Sequence, residues 1–215
     1  MRPPRSGGGP EPGWTGHEGR RGANVPDLAP QAVVPRVRGR LGTPYTFVAK
    51  CASTQALLAP DAPEGAVVAA DEQTAGRGRL GRRWEAPAGT SLLFSLSLRP
   101  DAPPQRLPEL SPLAARAVAD AIAALTGLQL AVKFPNDVLV RGRKVAGILG
   151  EAREGRVVLG VGVNVNVAAG QLPGGASAPA TSLLVELGTP LDRGELLVAM
   201  LEHLQRRYDD WLAKP

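Results

Sequence analysis

From residue 45 onward, short hydrophobic runs alternate with polar, Gly- or Pro-containing segments, and this pattern predicts a series of strands. Ser91 to Leu98 is one such segment, in which five apolar residues are interspersed with three serines. The predicted strands cover residues 45–48, 66–70, 91–98, 128–133, 138–140, 144–150 and 157–167.

Two longer stretches repeat their apolar residues every three or four positions, which predicts amphipathic helices. The first opens at Ser111-Pro112, a hydroxyl cap followed by proline at the first helical position, and Gly127 closes it. The second begins at Asp192, with Glu195 as its capping-box partner. A short helical stretch is also predicted over 53–58. The apolar stripe of the last helix is Leu196, Leu197, Met200, Leu201, Leu204, Tyr208 and Trp211.

The order of these elements favours one fold class. Short strands without regular helical crossovers are typical of α+β domains. We therefore expect a mixed, mostly antiparallel sheet with flanking helices.

Composition divides the chain at residue 44. Residues 1–44 hold 17 of the 47 Gly and Pro residues and carry seven Arg against three acids. This segment is predicted to be a disordered Gly/Pro/Arg-rich tail, and residues 45–215 to form one folded domain, which the resemblance given below implies to be catalytic. Of the net charge of +5, only +1 belongs to residues 45–215, which argues against a broad nucleic-acid-binding face.

Composition also excludes several protein classes. No apolar run approaches the roughly 20 residues of a membrane helix, and the first residues lack the apolar core of a secretory signal. A single cysteine, Cys51, excludes an intramolecular disulfide framework, and the distant His17 and His203 argue against a histidine metal site. A cytoplasmic enzyme or binding module with no membrane partner is expected.

The most informative segment is residues 76–84, Gly-Arg-Gly-Arg-Leu-Gly-Arg-Arg-Trp. It fits G-x-G-x-x-G, but Pro87 and Gly89 follow where a dinucleotide fingerprint requires a helix. Glycines let a loop fold closely over a ligand, and the arginines supply planar cations for carboxylate and phosphate. An anion-binding loop is favoured. A solvated turn and an RG-type nucleic-acid segment are the alternatives.

Lysine is scarce, with four residues against 21 arginines, and two of the four open polar motifs. Lys133 begins Lys-Phe-Pro-Asn-Asp, and Lys144 begins Lys-Val-Ala-Gly-Ile-Leu. A compact ammonium suits contact with a phosphoryl oxygen or a reacting carboxylate. Either lysine could equally end a strand, and the first motif by itself favours a plain turn, although its polar groups could hold a nucleotide or Mg²⁺.

Residues 160–167 alternate strictly, which predicts a strand with Val on its core face and Gly or Asn on the other. Glycines on a strand face, here Gly160 and Gly162, are typical of close approach by a ligand or another backbone. No Lys follows the Walker A spacing, so ATP would be bound by other means.

Together these segments resemble the biotin protein ligase family, the biotin–[biotin carboxyl carrier protein] ligases. The match runs in order from about Phe47 to Asn166, and it departs from the family at Gln55 (usually Asn), Leu80 (often Arg) and Phe134 (usually Trp). The segments that carry it are Ser53-Thr54-Gln55, residues 73–84, residues 133–137, residues 144–151 and residues 160–166.

The resemblance implies a biotin/lipoate protein ligase-like catalytic domain and a two-step reaction with ATP, biotin and Mg²⁺. Biotin's carboxylate attacks the α-phosphate of ATP to give biotinyl-5′-adenylate and pyrophosphate. A lysine of a biotin carboxyl carrier protein, a domain of acetyl-CoA or a related carboxylase, then attacks the acyl group and expels AMP. Cations must neutralise the two anions, and a closing loop must exclude water.

The resemblance also implies roles for individual residues. Lys144 and Arg79 would be catalytic, with Lys144 bridging the biotin carboxylate and the α-phosphate. Trp84 would stack on the adenine, and Lys133, Asn136 and Asn164 would lie near the nucleotide. No metal ligand is assigned. The residues implied for biotin are Ser53, Thr54, Gln55, Gln73, Arg77, Gly78, Arg79, Lys144 and Gly147.

Two features of the family are not expected here: an N-terminal DNA-binding domain, and the small β-barrel domain into which the family normally continues. DNA is therefore not an expected partner, and a homodimer is left open. The alternative functions are a lipoate–protein ligase, an anion- or RNA-binding module built on residues 77–83, and a truncated ligase that binds biotin but does not transfer it.

Overall fold

The computed structural model describes residues 26–153, 155–174 and 178–214. Residues 1–25, which form the larger part of the predicted tail, lie outside this range.

One mixed sheet organises the described part of the chain. Its strand order is β1-β2-β3-β7-β6-β5-β4. β1 and β2 are parallel, and every other adjacent pair is antiparallel. The predicted α+β class with a mostly antiparallel sheet is confirmed. The strands are β1 (Tyr45–Cys51), β2 (Val67–Gln73), β3 (Ser91–Leu98), β4 (Leu130–Lys133), β5 (Asp137–Val140), β6 (Arg143–Arg153) and β7 (Arg156–Asn164).

The two long helices cover one face of the sheet, called here the core face, and the opposite face is called the open face. The two long helices pack against each other and, together with the buried side chains of β3, β6 and β7, form the main hydrophobic core. The short α2 lies on the opposite face, against β2, β3 and β7. The helices are α1 (Pro30–Val33), α2 (Thr54–Leu57), α3 (Leu110–Thr126), α4 (Leu183–Leu187) and α5 (Arg193–Leu212).

The ends of the two long helices follow two of the three sequence signals. Asp192 caps α5 by accepting the Glu195 N–H at 2.6 Å, and Gly127 ends α3 with a φ of 70°. The predicted cap at Ser111 is wrong by two residues: α3 begins at Leu110 with Glu109 at the cap position, because a 3₁₀ helix over Pro104–Glu109 runs directly into it without a side-chain cap. All seven residues of the α5 stripe are buried, and they contact α3 more than the sheet.

Strand β7 ends at Asn164, three residues before the predicted end. Beyond that point the backbone leaves the ladder: the Asn166 N–H donates to the Thr90 carbonyl at 2.7 Å, and the Leu184 N–H donates to the Val165 carbonyl at 2.8 Å.

The predicted tail boundary at residue 44 is wrong for residues 26–44. Leu28, Val33 and Leu41 are buried in the main core. Asp27 forms an ion pair with Arg193 at the start of α5. The sequence gives little sign that this segment is folded, because few of its residues are apolar and buried. Its position is fixed by contacts with the distant α5.

No helix of the described residues is long and apolar enough to cross a lipid bilayer.

Candidate active site

The open face of the sheet carries a pair of glycines that receive an aromatic ring. Gly147 on β6 lies opposite Gly162 on β7. A Cβ on Gly162 would lie 2.6 Å from Cε2 of Trp84, and one on Gly147 would lie 3.1 Å from Cζ3 of the same ring. The close approach that the Gly/Val alternation predicts is therefore made at Gly162 by the Trp84 indole and at Gly160 by the Gln55 side chain.

The two parallel strands bring the first two motifs together. Because β1 and β2 run in the same direction, the segments that follow them leave the sheet at the same edge, the one formed by the carboxyl ends of these two strands. Gln73, the last residue of β2, accepts hydrogen bonds at its Oε1 from the Thr54 N–H (2.7 Å) and Thr54 Oγ1 (3.2 Å). Thr54 Oγ1 is also 2.7 Å from Ser95 Oγ on β3.

A narrow cavity lies between this edge and the glycine pair. Its polar wall includes three buried residues in sequence, Ser53, Thr54 and Gln55. Gln55 is held at both ends of its amide: Nε2 donates to the Leu149 carbonyl at 3.1 Å, and Oε1 accepts from Arg77 at 3.2 Å. All nine residues predicted to contact biotin line this one cavity: Ser53, Thr54, Gln55, Gln73, Arg77, Gly78, Arg79, Lys144 and Gly147.

Residues 76–84 cover the cavity as a narrow hairpin. The Gly78 N–H donates to the Arg82 carbonyl at 2.7 Å, and the Trp84 N–H donates to the Gly76 carbonyl at 3.0 Å. The chain turns at Leu80, whose φ is 58° and whose side chain is 85% exposed. Residues 85–90, which directly follow this segment, form no α-helix, in agreement with the rejection of a dinucleotide fingerprint.

Two arginines fasten the hairpin to the sheet. Arg77 forms an ion pair with Glu151 on β6 at 2.9 Å. Arg79 donates to Asn136 Oδ1 at 3.1 Å, and Asn136 Nδ2 in turn donates to the Ile148 carbonyl at 3.0 Å. The predicted Gly/Arg loop and the Lys-Phe-Pro-Asn-Asp turn therefore meet across the site.

A wider cleft of about 360 Å³ opens on the other side of Trp84. Arg79, Arg82, Arg83 and Lys144 give it four cationic side chains against the carboxylates of Asp137 and Glu85. Such an excess of positive charge suits an anionic ligand. Three of the four residues predicted to lie near the nucleotide line it: Trp84, Asn136 and Asn164.

The structure does not bring the fourth, Lys133, into either cavity. Lys133 ends the edge strand β4, where its backbone pairs with Asp137 and the residue is exposed.

Lys144 stands at the junction of the two cavities and lines both. Its Nζ lies 2.7 Å from Asp137 Oδ1 and 5.7 Å from the centroid of the Trp84 ring. The side chains of Lys144 and Asp137 are only 21% and 11% exposed, so solvent screens this charge weakly. A cation placed there can contact ligands in both cavities at once.

Sequence reasoning missed several residues of the site. Asp137 and Glu151 each stand at the end of a motif that was recognised, but their ion pairs with Lys144 and Arg77 depend on strand register. Ala180 and Thr181 carry no sequence signal, yet this segment pairs with Lys144 beside the wide cleft.

Cys51 lies at the end of β1 as a free cysteine. Burial raises the pKa of the Cys51 thiol, so the unreactive neutral form dominates near neutral pH.

Comparison with known proteins gives a consistent result. Residues 48–167 match the biotin/lipoate A/B protein ligase family. The bifunctional ligase/repressor BirA of Bacillus subtilis is 43% identical over 157 residues, which cover 71% of this chain and 48% of that protein. The biotin–[acetyl-CoA-carboxylase] ligase of Mycobacterium tuberculosis is 42% identical over 174 residues, covering 76% of this chain and 64% of that protein.

Among solved structures, the biotin protein ligase of Aquifex aeolicus in complex with biotin and ATP superimposes with a TM-score of 0.72 at 31% identity. The match covers 80% of this chain and 73% of that chain. The chain spans about half of the length of its Bacillus subtilis relative. The family match over residues 48–167 contains every residue that lines the narrow cavity.

Proposed function

The chain belongs to the biotin/lipoate A/B protein ligase family, and on that premise we propose that it activates biotin with ATP and transfers it to a lysine of a biotin carboxyl carrier protein. The observation that carries the proposal is the position of Lys144 between a narrow polar cavity and a wide cationic cleft. Biotin would occupy the narrow cavity, and the nucleotide would occupy the wide cleft.

The chemistry of the narrow cavity favours biotin over lipoate. Biotin's ureido group carries two N–H donors and one carbonyl acceptor, and the cavity offers the buried polar side chains of Ser53, Thr54 and Gln55. The dithiolane ring of lipoate has neither N–H donors nor a carbonyl acceptor, so it would gain no hydrogen bonds from this wall. A site that hydrogen-bonds a substrate group discriminates against an analogue that lacks the group, which supports rejection of lipoate.

The first step joins two anions. A carboxylate oxygen of biotin forms a bond to the α-phosphorus of ATP, and the bond to the pyrophosphate oxygen breaks. Lys144 and Arg79 line both cavities and would neutralise the carboxylate and the α-phosphate as negative charge builds up between them. Holding both reactants beside one cation also removes the entropic cost of their encounter.

The second step transfers the acyl group. The amine of the acceptor lysine attacks the carbonyl carbon of biotinyl-5′-adenylate, and AMP leaves with the oxygen that came from biotin's carboxylate. The mixed anhydride must be kept from water until the acceptor arrives. The Arg77–Glu151 ion pair and the Arg79–Asn136 hydrogen bond would keep the hairpin over the intermediate.

Trp84 would serve the nucleotide side. Its Nε1–H is buried and finds no hydrogen-bond partner within the described part of the chain. A buried donor without a partner is rare in folded proteins and suits a ligand acceptor atom. Because Trp84 also lines the wide cleft, its ring would stack on the adenine there.

Mg²⁺ would enter with the nucleotide. Over the residues that the structure describes, no group of three or more His, Cys, Asp or Glu side chains could hold a metal ion. Mg²⁺ commonly takes one or two carboxylates with the rest of its ligands from phosphates and water, and Asp137 and Asn136 at the wide cleft fit that donor set. When bound, the ion would offset charge on the phosphates.

The free Cys51 thiol fits a reducing compartment, and we propose the cytoplasm as the place of reaction.

Transfer of labelled biotin tests the function. The full chain is incubated with ATP, Mg²⁺, ¹⁴C-biotin and a purified biotin carboxyl carrier domain, and label in the acceptor is counted after denaturing electrophoresis. We expect ATP-dependent label that is lost when the acceptor lysine is replaced by Arg. Lipoate in place of biotin should give none.

Two outcomes contradict the proposal in different ways. Labelling with lipoate but not with biotin would identify a lipoate ligase. Formation of the adenylate without any transfer would show that the chain activates biotin but does not attach it to the carrier.

A further inference from the structure

A buried carboxylate lies behind the wide cleft, outside both cavities. The side chain of Glu186 on α4 is 0% exposed. Its Oε1 accepts from Thr181 Oγ1 at 2.6 Å and pairs with Arg143 at 2.7 Å, and its Oε2 lies 3.4 Å from Arg141. A carboxylate this deeply buried needs such partners to remain ionised.

The first short contact of Glu186, with Thr181, connects it to two residues that line the wide cleft, Lys144 and Asn164. The Thr181 N–H donates to the Lys144 carbonyl at 2.8 Å, and the Lys144 N–H donates to the Pro179 carbonyl at 2.7 Å. The Thr181 carbonyl accepts from Asn164 Nδ2 at 3.0 Å. One backbone segment therefore fixes the main chain of Lys144 and the side chain of Asn164.

The second short contact, with Arg143, connects Glu186 to strand β6 directly. Arg143 precedes Lys144 on β6, and successive side chains of a strand point to opposite sides. Arg143 reaches Glu186 while Lys144 reaches Asp137 at the cleft. Glu186 thus binds the segment that pairs with β6 and the residue of β6 next to Lys144.

We propose that Glu186 is a positioning residue for the nucleotide half of the site. It does not touch the cleft; it holds residues 179–181 against β6 so that Lys144 and Asn164 face the phosphates and ribose of the nucleotide. The polar wall of the narrow cavity does not depend on Glu186, because that wall comes from α2 and β2; of the residues that Glu186 positions, only Lys144 also lines this cavity. This role rests on the proposed function.

Glu186→Gln tests the role with little change in shape. The amide can still accept from Thr181, but it brings no charge to Arg143. We expect KM for ATP to rise by about fivefold or more in biotin-dependent ATP–pyrophosphate exchange, with a clearly smaller change in the Kd for biotin by calorimetry. The amide protons of Thr181 and Lys144 should exchange with solvent about tenfold faster.

The control is Glu202→Gln, which removes one carboxylate from an exposed position on α5 and should change none of these values. If Glu186→Gln fails to fold, Thr181→Val decides, since it removes one hydrogen bond and leaves the Glu186–Arg143 pair. It should raise KM for ATP by a smaller factor with biotin affinity retained.

Folded variants with wild-type KM for ATP, or an equal loss of biotin and ATP affinity, would overturn the role of Glu186. Absence of exchange in the wild-type chain would instead overturn the proposed function.

Discussion

At the scale of single residues, the site depends on charges that are close together and partly removed from water. Lys144 pairs with Asp137 and faces the Trp84 ring, while Arg77 and Arg79 each bind a partner on the sheet side. Such groups are already oriented before a reaction begins, and preorganised charge is the main source of transition-state stabilisation in many enzymes.

Lys144→Ala should abolish adenylate formation, with a loss of at least about 100-fold in ATP–pyrophosphate exchange. The fold should persist, because the side chain faces the cavities rather than the core, and far-ultraviolet circular dichroism checks this. Lys50→Ala is the matched control: Lys50 is 61% exposed, pairs with Glu72, and lies outside both cavities. Wild-type exchange in Lys144→Ala would remove this lysine from the mechanism.

A second residue-scale prediction concerns pH. Burial on α5, reinforced by Arg206, lowers the pKa of His203 in the folded chain. The unfolded chain, with a histidine pKa of about 6.5, binds the proton more readily, so the free energy of unfolding should fall as pH decreases from about 7.5 to 5.5.

His203→Gln should remove that part of the pH dependence. Urea unfolding of both chains at the two pH values measures it, and the difference between them should be smaller in the variant. Equal pH dependence in the two chains would show that His203 does not contribute.

At the scale of elements, the glycine pair of β6 and β7 determines where the hairpin rests. Gly147 and Gly162 lie opposite each other in the ladder, so the absence of both side chains makes one shallow seat for the indole. The strands thereby hold the hairpin at a fixed height above the two cavities.

Gly162→Ala should displace Trp84, because the new methyl group would lie 2.6 Å from Cε2 of the ring. We expect a red shift of tryptophan emission and faster release of biotinyl-5′-adenylate, measured by its hydrolysis in solution. Gly170→Ala is the control, since nothing lies within 4 Å of the added atom. Unchanged emission and unchanged adenylate retention in Gly162→Ala would contradict the claim that the glycine pair positions the Trp84 ring.

Elements with local signals could be predicted, and those fixed by distant contacts could not. β3 has its predicted bounds because its eight residues are all buried, and α5 starts where Asp192 caps it. The end of β7 was missed because hydrogen bonds to Thr90 and Leu184, far apart in the sequence, take its last residues out of the ladder.

The same distinction holds within the candidate site. The residues predicted from short motifs line the cavities, apart from Lys133, whose strand lies at the sheet edge. Glu186 and Thr181 were not predicted, because they are polar residues whose contact with β6 depends on tertiary packing.

At the scale of the whole molecule, an ion cluster joins the first described residues to strands β2 and β3. Arg193 at the start of α5 pairs with Asp27 at 2.5 Å and Asp71 of β2 at 2.8 Å, and it donates to the Ser91 carbonyl at 3.2 Å. Arg193 itself is buried. Three distant parts of the chain therefore depend on one guanidinium.

Asp27→Asn should lower the free energy of unfolding by about 2 kcal/mol, because the buried Arg193 would keep only Asp71 as a charged partner. Denaturation in urea measures the loss. Asp61→Asn, on an exposed loop, should change it by less than about 0.5 kcal/mol. Equal stability of the two variants would contradict a structural role for residues 26–44.

The central claim is that one site joins biotin's carboxylate to the α-phosphate of ATP before transfer. Biotin labelled with ¹⁸O at both carboxylate oxygens tests it directly when the full chain, ATP, Mg²⁺ and carrier domain are incubated and the AMP is analysed by mass spectrometry. We predict one ¹⁸O atom in each AMP released. AMP without the label, formed while biotin is attached to the carrier, would contradict the account.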